Sequence, residues 1–163
     1  VGLMGVGKST VGRKLAGLLQ RDFVDADEAI VEAAQRSIPE IFETFGEAYF
    51  RDGERRVIAR LMDESHGVIA TGGGAFVDPA TRALVLERGI AVWIDCDIDT
   101  LVERTARRGN RPLLKSGDPR DILTRLAQER APFYGQAHIR VVSETGPHAD
   151  TARAIIEAID QWL

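Results

Sequence analysis

The segment Gly2–Thr10 constrains the fold of this chain more than any other stretch of its sequence. It matches the pattern G-x-x-x-x-G-K-[ST], in which glycines let the backbone turn tightly so that successive N–H groups converge on a phosphate. Such a loop needs a helix directly after it, and apolar residues at helical spacing follow from Val11 to Leu19. The segment therefore predicts a phosphate-binding loop between a β-strand and an α-helix.

The loop also predicts how a nucleotide would be held. The Lys8 ammonium can reach the β- and γ-phosphates, and the Ser9 hydroxyl offers the hard oxygen that Mg²⁺ prefers. A chance glycine-rich turn is the alternative, and the helical pattern after the loop argues against it. We therefore expect phosphoryl transfer from a nucleotide. The expected nucleotide-binding residues of the loop are Gly5, Val6, Gly7, Lys8, Ser9 and Thr10.

The composition sets broad limits on the function. With 163 residues, 44% of them hydrophobic, the chain is long enough for one well-buried core, and we expect residues 1–163 to form a single domain. The formal net charge of −4 argues against a nucleic-acid partner. No apolar run approaches the ~20 residues of a membrane-spanning helix. The lone Cys96 cannot form an internal disulfide, which favours the cytoplasm, and we expect a monomer.

Short apolar runs alternate with longer stretches of helical period, which is typical of a parallel sheet with helices on both faces. We predict an α/β fold with five strands, of which the first should be largely absent because the chain starts at Val1, directly before the loop. Residues 28–66 should hold two or three helices. The predicted strands are the residues before Gly2 and residues 22–25, 68–71, 90–96 and 139–142. Later helices are predicted over residues 79–87, 99–108, 119–131 and 149–163.

Two aspartates lie at the end of the second predicted strand. If the strand continues, Asp25 and Asp27 lie on one face at its carboxyl end, where open α/β sheets bind ligands. One carboxylate could then hold a Mg²⁺-bound water, and the other could accept the proton of an attacking hydroxyl. The alternative is that Asp27 only caps a helix beginning at Glu28. The neighbouring phosphate loop favours the functional interpretation.

Two further motifs could bind an anionic substrate. The glycines of Thr71–Gly74 follow the third predicted strand and could offer backbone N–H groups to a ligand, or they could form a plain loop. Arg51 and Glu54 lie three residues apart on one helical face, so the acid could brace the guanidinium for a carboxylate. Taken alone, the second motif is better explained as an exposed ion pair.

Arginines also mark the second half of the chain. Arg111 lies in the segment 109–118, which has the glycines, proline and polar residues of a closing lid, and it could offset charge on a transferred phosphoryl group. Arg130 precedes Pro132, which should end a helix and bring Arg130 to its terminus, where it could enter the cleft or only compensate the helix dipole. The three histidines are scattered, and we assign them no chemistry.

Taken together and in this order, these motifs closely resemble shikimate kinase, a family of small-molecule kinases with a P-loop. The resemblance covers nearly the whole chain and includes Arg111-Pro112-Leu113-Leu114 and Arg130-x-Pro-x-Tyr134. It implies a three-layer P-loop kinase fold with a lid. It also implies ATP-dependent phosphorylation of the shikimate 3-hydroxyl, giving shikimate 3-phosphate and ADP on the pathway to chorismate and the aromatic amino acids.

The resemblance further implies a role for each matching residue. Lys8, Asp27 and Arg111 would be catalytic, with Arg111 also on the ATP phosphates. Ser9 would hold Mg²⁺ and Asp25 a metal-bound water. The shikimate contacts would come from Asp27 to the hydroxyls, Arg51 and Arg130 to the carboxylate, and the backbone of Gly73. Residues 143–148 match the family's adenine-contacting segment only weakly, so no adenine residue is assigned.

Two other functions are compatible with parts of the pattern. Another small P-loop kinase, acting on gluconate or a nucleoside monophosphate, would share the loop and the lid. A non-catalytic ligand-sensing module is the second alternative. The intact residues Lys8, Ser9, Asp25 and Asp27 argue against the second alternative.

Overall fold

The computed structural model describes residues 1–64, 67–108 and 117–163. Within them, short strands alternate with helices along the whole chain. The first half contains α1 (Lys8–Leu19), β1 (Phe23–Asp25), α2 (Ala26–Ala34), α3 (Ile38–Phe45), α4 (Glu47–Glu64) and β2 (Val68–Ala70). The second half contains a 3₁₀ turn (Ala75–Val77), α5 (Pro79–Arg88), β3 (Val92–Asp95), α6 (Ile98–Arg108), α7 (Pro119–Tyr134), β4 (Ile139–Val142) and α8 (His148–Trp162).

The strands pair in parallel, as predicted. β1 pairs with β2 in the register Phe23 to Val68, and β3 pairs with β4 in the register Val92 to Ile139. The described residues thus hold four strands in two separate pairs rather than the predicted continuous sheet of five. The parallel α/β class is confirmed.

The backbone of Val1 lies at the gap between the two strand pairs. Its N-terminal nitrogen donates to the carbonyl oxygen of Val92 at 2.8 Å, and its carbonyl oxygen accepts from the nitrogen of Ile94 at 2.9 Å. Residue 1 therefore lies extended beside β3, and the turn of the phosphate loop follows too soon for a longer strand. A largely apolar groove of about 470 Å³ lies between β2 and β3 next to it.

The buried apolar residues form one main core and two smaller clusters. The main core joins the phosphate loop to α1, β3, α6, α7, β4 and α8 through residues such as Val6, Val11, Leu101, Leu123 and Ile155. The helices α2–α4 bury two smaller apolar clusters. In the described part of the chain, no helix is both long and apolar enough to cross a membrane.

The start of α2 differs from the prediction. The strand ends at Asp25, whose carboxylate accepts hydrogen bonds from the backbone N–H groups of Asp27 at 2.9 Å and Glu28 at 3.3 Å. The helix therefore begins at Ala26 with Asp25 as its N-cap, because a carboxylate there satisfies N–H groups that have no partner inside the helix. The expectation that Asp27 continues the strand or caps a helix at Glu28 is wrong.

The end of α7 also differs from the prediction. The helix passes through Pro132 and ends at Tyr134, where the Gly135 N–H donates to the Ala131 carbonyl at 2.8 Å. A proline this close to a helix end removes one backbone hydrogen bond and leaves the rest of the last turn intact. Arg130 consequently lies within the helix, one turn before its end.

Candidate active site

The phosphate-binding loop curves around the Lys8 side chain. The Lys8 ammonium donates to the carbonyl oxygens of Gly2 at 2.7 Å and Leu3 at 2.9 Å. Gly7 is the N-cap of α1 with a φ of 93°, a conformation that side chains with a β-carbon rarely adopt. A β-carbon at Gly7 would also lie 2.6 Å from the Cε1 atom of His148. The loop thus places the positive N-terminal end of α1 at the surface of a cleft.

A direct hydrogen bond links the loop to the end of β1. The Ser9 hydroxyl donates to Oδ2 of Asp25 at 2.6 Å, while Oδ1 of the same carboxylate caps α2. Two oxygens suited to a hard cation therefore meet here. Among the described residues, no group of three or more His, Cys, Asp or Glu side chains could hold a metal ion. A cation bound at Ser9 and Asp25 would need its other ligands from water or a bound phosphate.

The cleft beside the loop has a volume of about 500 Å³ and a mostly polar lining. It brings together the predicted residues Lys8, Ser9, Asp25, Asp27 and Gly73. Asp25 and Asp27 share the cleft although only Asp25 belongs to the strand, because the first turn of α2 carries Asp27 to the same side. Further lining residues are Met4, Gly5, Gly7, Thr10, Thr71, Gly72, Arg104, Arg107, Thr145, Gly146 and His148.

Several of these lining residues were not predicted, among them Arg104, Arg107 and His148. Arg104 donates to the carbonyl oxygens of Val6 at 3.0 Å and Glu144 at 3.2 Å, so it fastens the phosphate loop to the segment before α8. The crowding of arginines after residue 103 was a sequence signal for Arg104 and Arg107. No comparable signal exists for His148, since its place depends on how α8 packs against α1.

The glycine run after β2 lies against three predicted substrate-binding residues in turn. A β-carbon at Gly72 would lie 2.8 Å from Oδ1 of Asp27, and one at Gly73 would lie 3.1 Å from Nη1 of Arg130. A β-carbon at Gly74 would lie 2.8 Å from Cζ of Arg51. One carboxylate and two guanidinium groups, carried by α2, α7 and α4, therefore approach one short stretch of backbone.

Glu54 is buried and Arg51 is largely buried, so the expectation of an exposed ion pair is wrong. Nη1 of Arg51 donates to Oε1 of Glu54 at 2.8 Å, and the two side chains are 21% and 1% exposed. The guanidinium also lies 5.2 Å from the ring centre of Phe50. Burial raises the pKa of the Glu54 carboxyl, while the hydrogen bond and charge of Arg51 oppose the rise. Glu54 therefore braces Arg51 from inside the protein.

Arg111 and nearly all of the predicted lid, residues 109–116, lie outside the described residues.

Tyr134 is a residue that sequence reasoning placed in a motif without giving it a role. Its side chain is buried, and its hydroxyl donates to the Gly73 carbonyl oxygen at 2.6 Å. The signal was its spacing of four residues from Arg130, which puts both side chains on one face of α7.

A parallel α/β fold in which this phosphate loop lies beside one carboxylate and two arginines is typical of a kinase for a small anionic acceptor. The family model described as shikimate kinase matches residues 4–160, and the chain belongs to the shikimate kinase family. The resemblance inferred from sequence is thereby confirmed.

Known proteins similar to this chain agree with that assignment. Shikimate kinase from Novosphingobium aromaticivorans is 67% identical, with 100% of this chain and 86% of that protein covered. Shikimate kinase from Caulobacter vibrioides is 52% identical, with 99% and 80% covered. A solved structure of shikimate kinase from Acinetobacter baumannii in complex with shikimate superimposes with a TM-score of 0.91 at 39% identity, with 98% of this chain and 90% of that chain covered.

The conformation of Gly7 leads to a first prediction. Gly7→Ala should weaken ATP binding more than about tenfold, because a β-carbon at a φ of 93° strains the loop and meets the His148 ring. Gly17→Ala is a matched control: Gly17 lies in the same helix α1 and a β-carbon there meets no atom within 4 Å. That variant should keep its ATP affinity and gain about 0.5–1 kcal/mol in unfolding free energy. Calorimetric titration with ATP and urea unfolding measure the two effects. Equal ATP affinity in both variants would contradict the geometry.

The buried carboxyl of Glu54 leads to a pH prediction. Its pKa is raised above the ordinary 4.5 in the folded protein, so the native state binds this proton more tightly than the unfolded chain does. The resulting contribution to stability is present below pH 4.5 and is lost as the pH rises through the folded pKa. The unfolding free energy of the wild type should therefore fall relative to that of Glu54→Gln as the pH rises above 4.5.

Urea unfolding of both proteins from pH 4 upward measures this difference. Glu47→Gln is the control, because Glu47 lies 3.6 Å from the same Arg51 but is 70% exposed. A difference between wild type and Glu54→Gln that stays constant over the whole pH range would show that the pKa of Glu54 is not raised.

Proposed function

We propose that this enzyme transfers the γ-phosphoryl group of ATP to the 3-hydroxyl of shikimate, giving shikimate 3-phosphate and ADP. The observation that carries the proposal is the convergence of Asp27, Arg51 and Arg130 on Gly72–Gly74, beside the phosphate loop. A small hydroxylated carboxylate needs a cationic clamp at one end and a hydroxyl acceptor at the other, which Arg51 with Arg130 and Asp27 would supply. The similar enzyme from Acinetobacter baumannii was solved in complex with shikimate.

On the nucleotide side, residues 5–10 would surround the phosphates of ATP with backbone N–H groups at the start of α1. The Lys8 ammonium would contribute positive charge at the β- and γ-phosphates. The residues Ser9 and Asp25 fit a Mg²⁺ ion that also binds phosphate oxygens and water, with Asp25 holding one of those waters. Mg²⁺ would neutralise part of the phosphate charge when bound.

On the acceptor side, Arg51 and Arg130 would bind the carboxylate, and the backbone of Gly73 would lie against the substrate. Asp27 would orient the attacking hydroxyl and take its proton late, since phosphoryl transfer through a loose transition state depends more on positioning and charge than on a strong base. Arg111 would offset the charge that develops on the transferred group. The hydroxyl then attacks in line with the departing ADP.

The proposed domain organisation also assigns separate segments to the two substrates. We propose that residues 1–163 form one domain, in which the helices of residues 28–66 bind the acceptor and residues 109–118 close over both substrates. We further propose a sheet of five strands, with the chain at Val1 as its central member. Support comes from the hydrogen bonds of Val1 to Val92 and Ile94, and from the apolar groove between β2 and β3 beside it. We expect the enzyme to act as a cytoplasmic monomer.

The identity of the acceptor is tested by ADP release in a coupled assay with ATP and Mg²⁺. Turnover should require shikimate and should be absent with gluconate or AMP. Turnover with gluconate or AMP and none with shikimate would overturn the proposal in favour of another small-molecule kinase. ATP binding with no turnover of any acceptor would favour a ligand-sensing role.

The carboxylate clamp is tested by Arg51→Lys. An ammonium cannot reproduce a two-point contact, so kcat/KM for shikimate should fall by about 30- to 150-fold, which corresponds to roughly 2–3 kcal/mol for lost charged hydrogen bonds. Arg56→Lys is a matched control, since Arg56 lies on the same helix α4, is 78% exposed and pairs with Asp52. Arg56→Lys should keep normal kinetics, and normal kinetics for Arg51→Lys would remove that residue from the site.

A further inference from the structure

The Tyr134 hydroxyl is a buried polar group at the acceptor side that the reaction described above does not use. The side chain is 1% exposed, and its ring lies 5.9 Å from the ring of Trp93. A buried phenol needs a hydrogen-bond partner. Here the partner is the carbonyl oxygen of Gly73, at 2.6 Å, in the glycine run that contacts the acceptor-side arginines.

Arg130 lies near the same hydroxyl, since its Nη1 would be 3.1 Å from a β-carbon at Gly73, the residue whose carbonyl oxygen accepts from Tyr134. Arg130 precedes Tyr134 by one turn of α7, so both side chains leave the same helical face. Burial raises the pKa of the Tyr134 hydroxyl, and the charge of Arg130 together with a hydrogen bond from it opposes that rise. The hydroxyl is therefore protonated at neutral pH and can accept from the guanidinium while it donates to Gly73.

The orientation of the glycine run depends on that bond. The peptide between Gly73 and Gly74 is trans, so a fixed Gly73 carbonyl also fixes the direction of the Gly74 N–H. Gly74 lies in turn against the Arg51 guanidinium. One hydroxyl on α7 thus lies beside Arg130 and is linked to the neighbourhood of Arg51 through the backbone.

We propose that Tyr134 is a positioning residue for the acceptor carboxylate, acting through Arg130 and the Gly73–Gly74 peptide. It is not among the residues proposed above to bind the phosphates or the reacting hydroxyl. The inference rests on the proposed function for the identity of the acceptor, because the geometry alone defines only a site for a carboxylate. Loss of the hydroxyl should consequently affect acceptor binding and leave nucleotide binding unchanged.

The test compares Tyr134→Phe with the wild type in steady-state assays on the full chain. Since the ring is kept and one hydrogen bond next to a charged group is lost, KM for shikimate should rise about tenfold while KM for ATP stays within about twofold. In an Arg130→Lys background the same substitution should raise KM for shikimate by less than about twofold, because the hydroxyl acts through the guanidinium.

Thr151→Val is the matched control, because it removes another buried hydroxyl, one that lies on α8 at 3.2 Å from the Ser143 hydroxyl. It should change stability in urea without separating the two KM values. KM does not depend on the fraction of enzyme that is folded, so the comparison holds even if Tyr134→Phe is partly unfolded.

Three results would overturn the inference: unchanged kinetics in Tyr134→Phe, an equal rise in both KM values, or an undiminished effect in the Arg130→Lys background. These results differ from a failure of the proposed function. In that case the wild type itself would show no turnover with shikimate.

Discussion

The close approach of charged side chains to the backbone of Gly72–Gly74 is the constraint on which the acceptor side of the cleft depends. Asp27, Arg51 and Arg130 come from three helices that are far apart in sequence, and each lies too close to the run to leave normal space for a β-carbon there. Any side chain in the run would push one of these groups outward. The glycines therefore serve mainly to let the surrounding helices come close, in addition to exposing backbone N–H groups.

Burial of charge is the second physical feature of the site. A buried guanidinium is costly unless it is paired, and Glu54 supplies the partner from inside the protein. The pairing holds Arg51 in one orientation and leaves 21% of its side chain exposed. The negative charges of Asp27 and Asp78 add to the rise in the pKa of Glu54 that burial causes. An arginine held in this way has little rotamer freedom to lose on binding a carboxylate.

The predictions from sequence were most accurate where they depended on local patterns. The strands predicted at residues 68–71 and 139–142 differ from the observed ones by at most one residue. The phosphate loop and the helix after it lie as predicted. At Asp25 and Asp27 the pattern was ambiguous, because an aspartate at the end of a strand can continue the strand or cap a helix, and the cap is the first aspartate rather than the second. The prediction that Pro132 ends α7 was wrong, because a proline in the last helical turn costs only one hydrogen bond.

By itself, the sequence determined the parallel α/β class, the phosphate loop and, through the order of its motifs, the family. These follow from periodicity, from glycine and lysine spacing, and from motifs in a characteristic order. Only the tertiary structure decided that Glu54 is buried beside Arg51, that His148 lies against Gly7, and that the Tyr134 hydroxyl reaches Gly73. Burial and contacts of this kind depend on which helix faces which loop, and residues 61 positions apart carry no local pattern that records their contact.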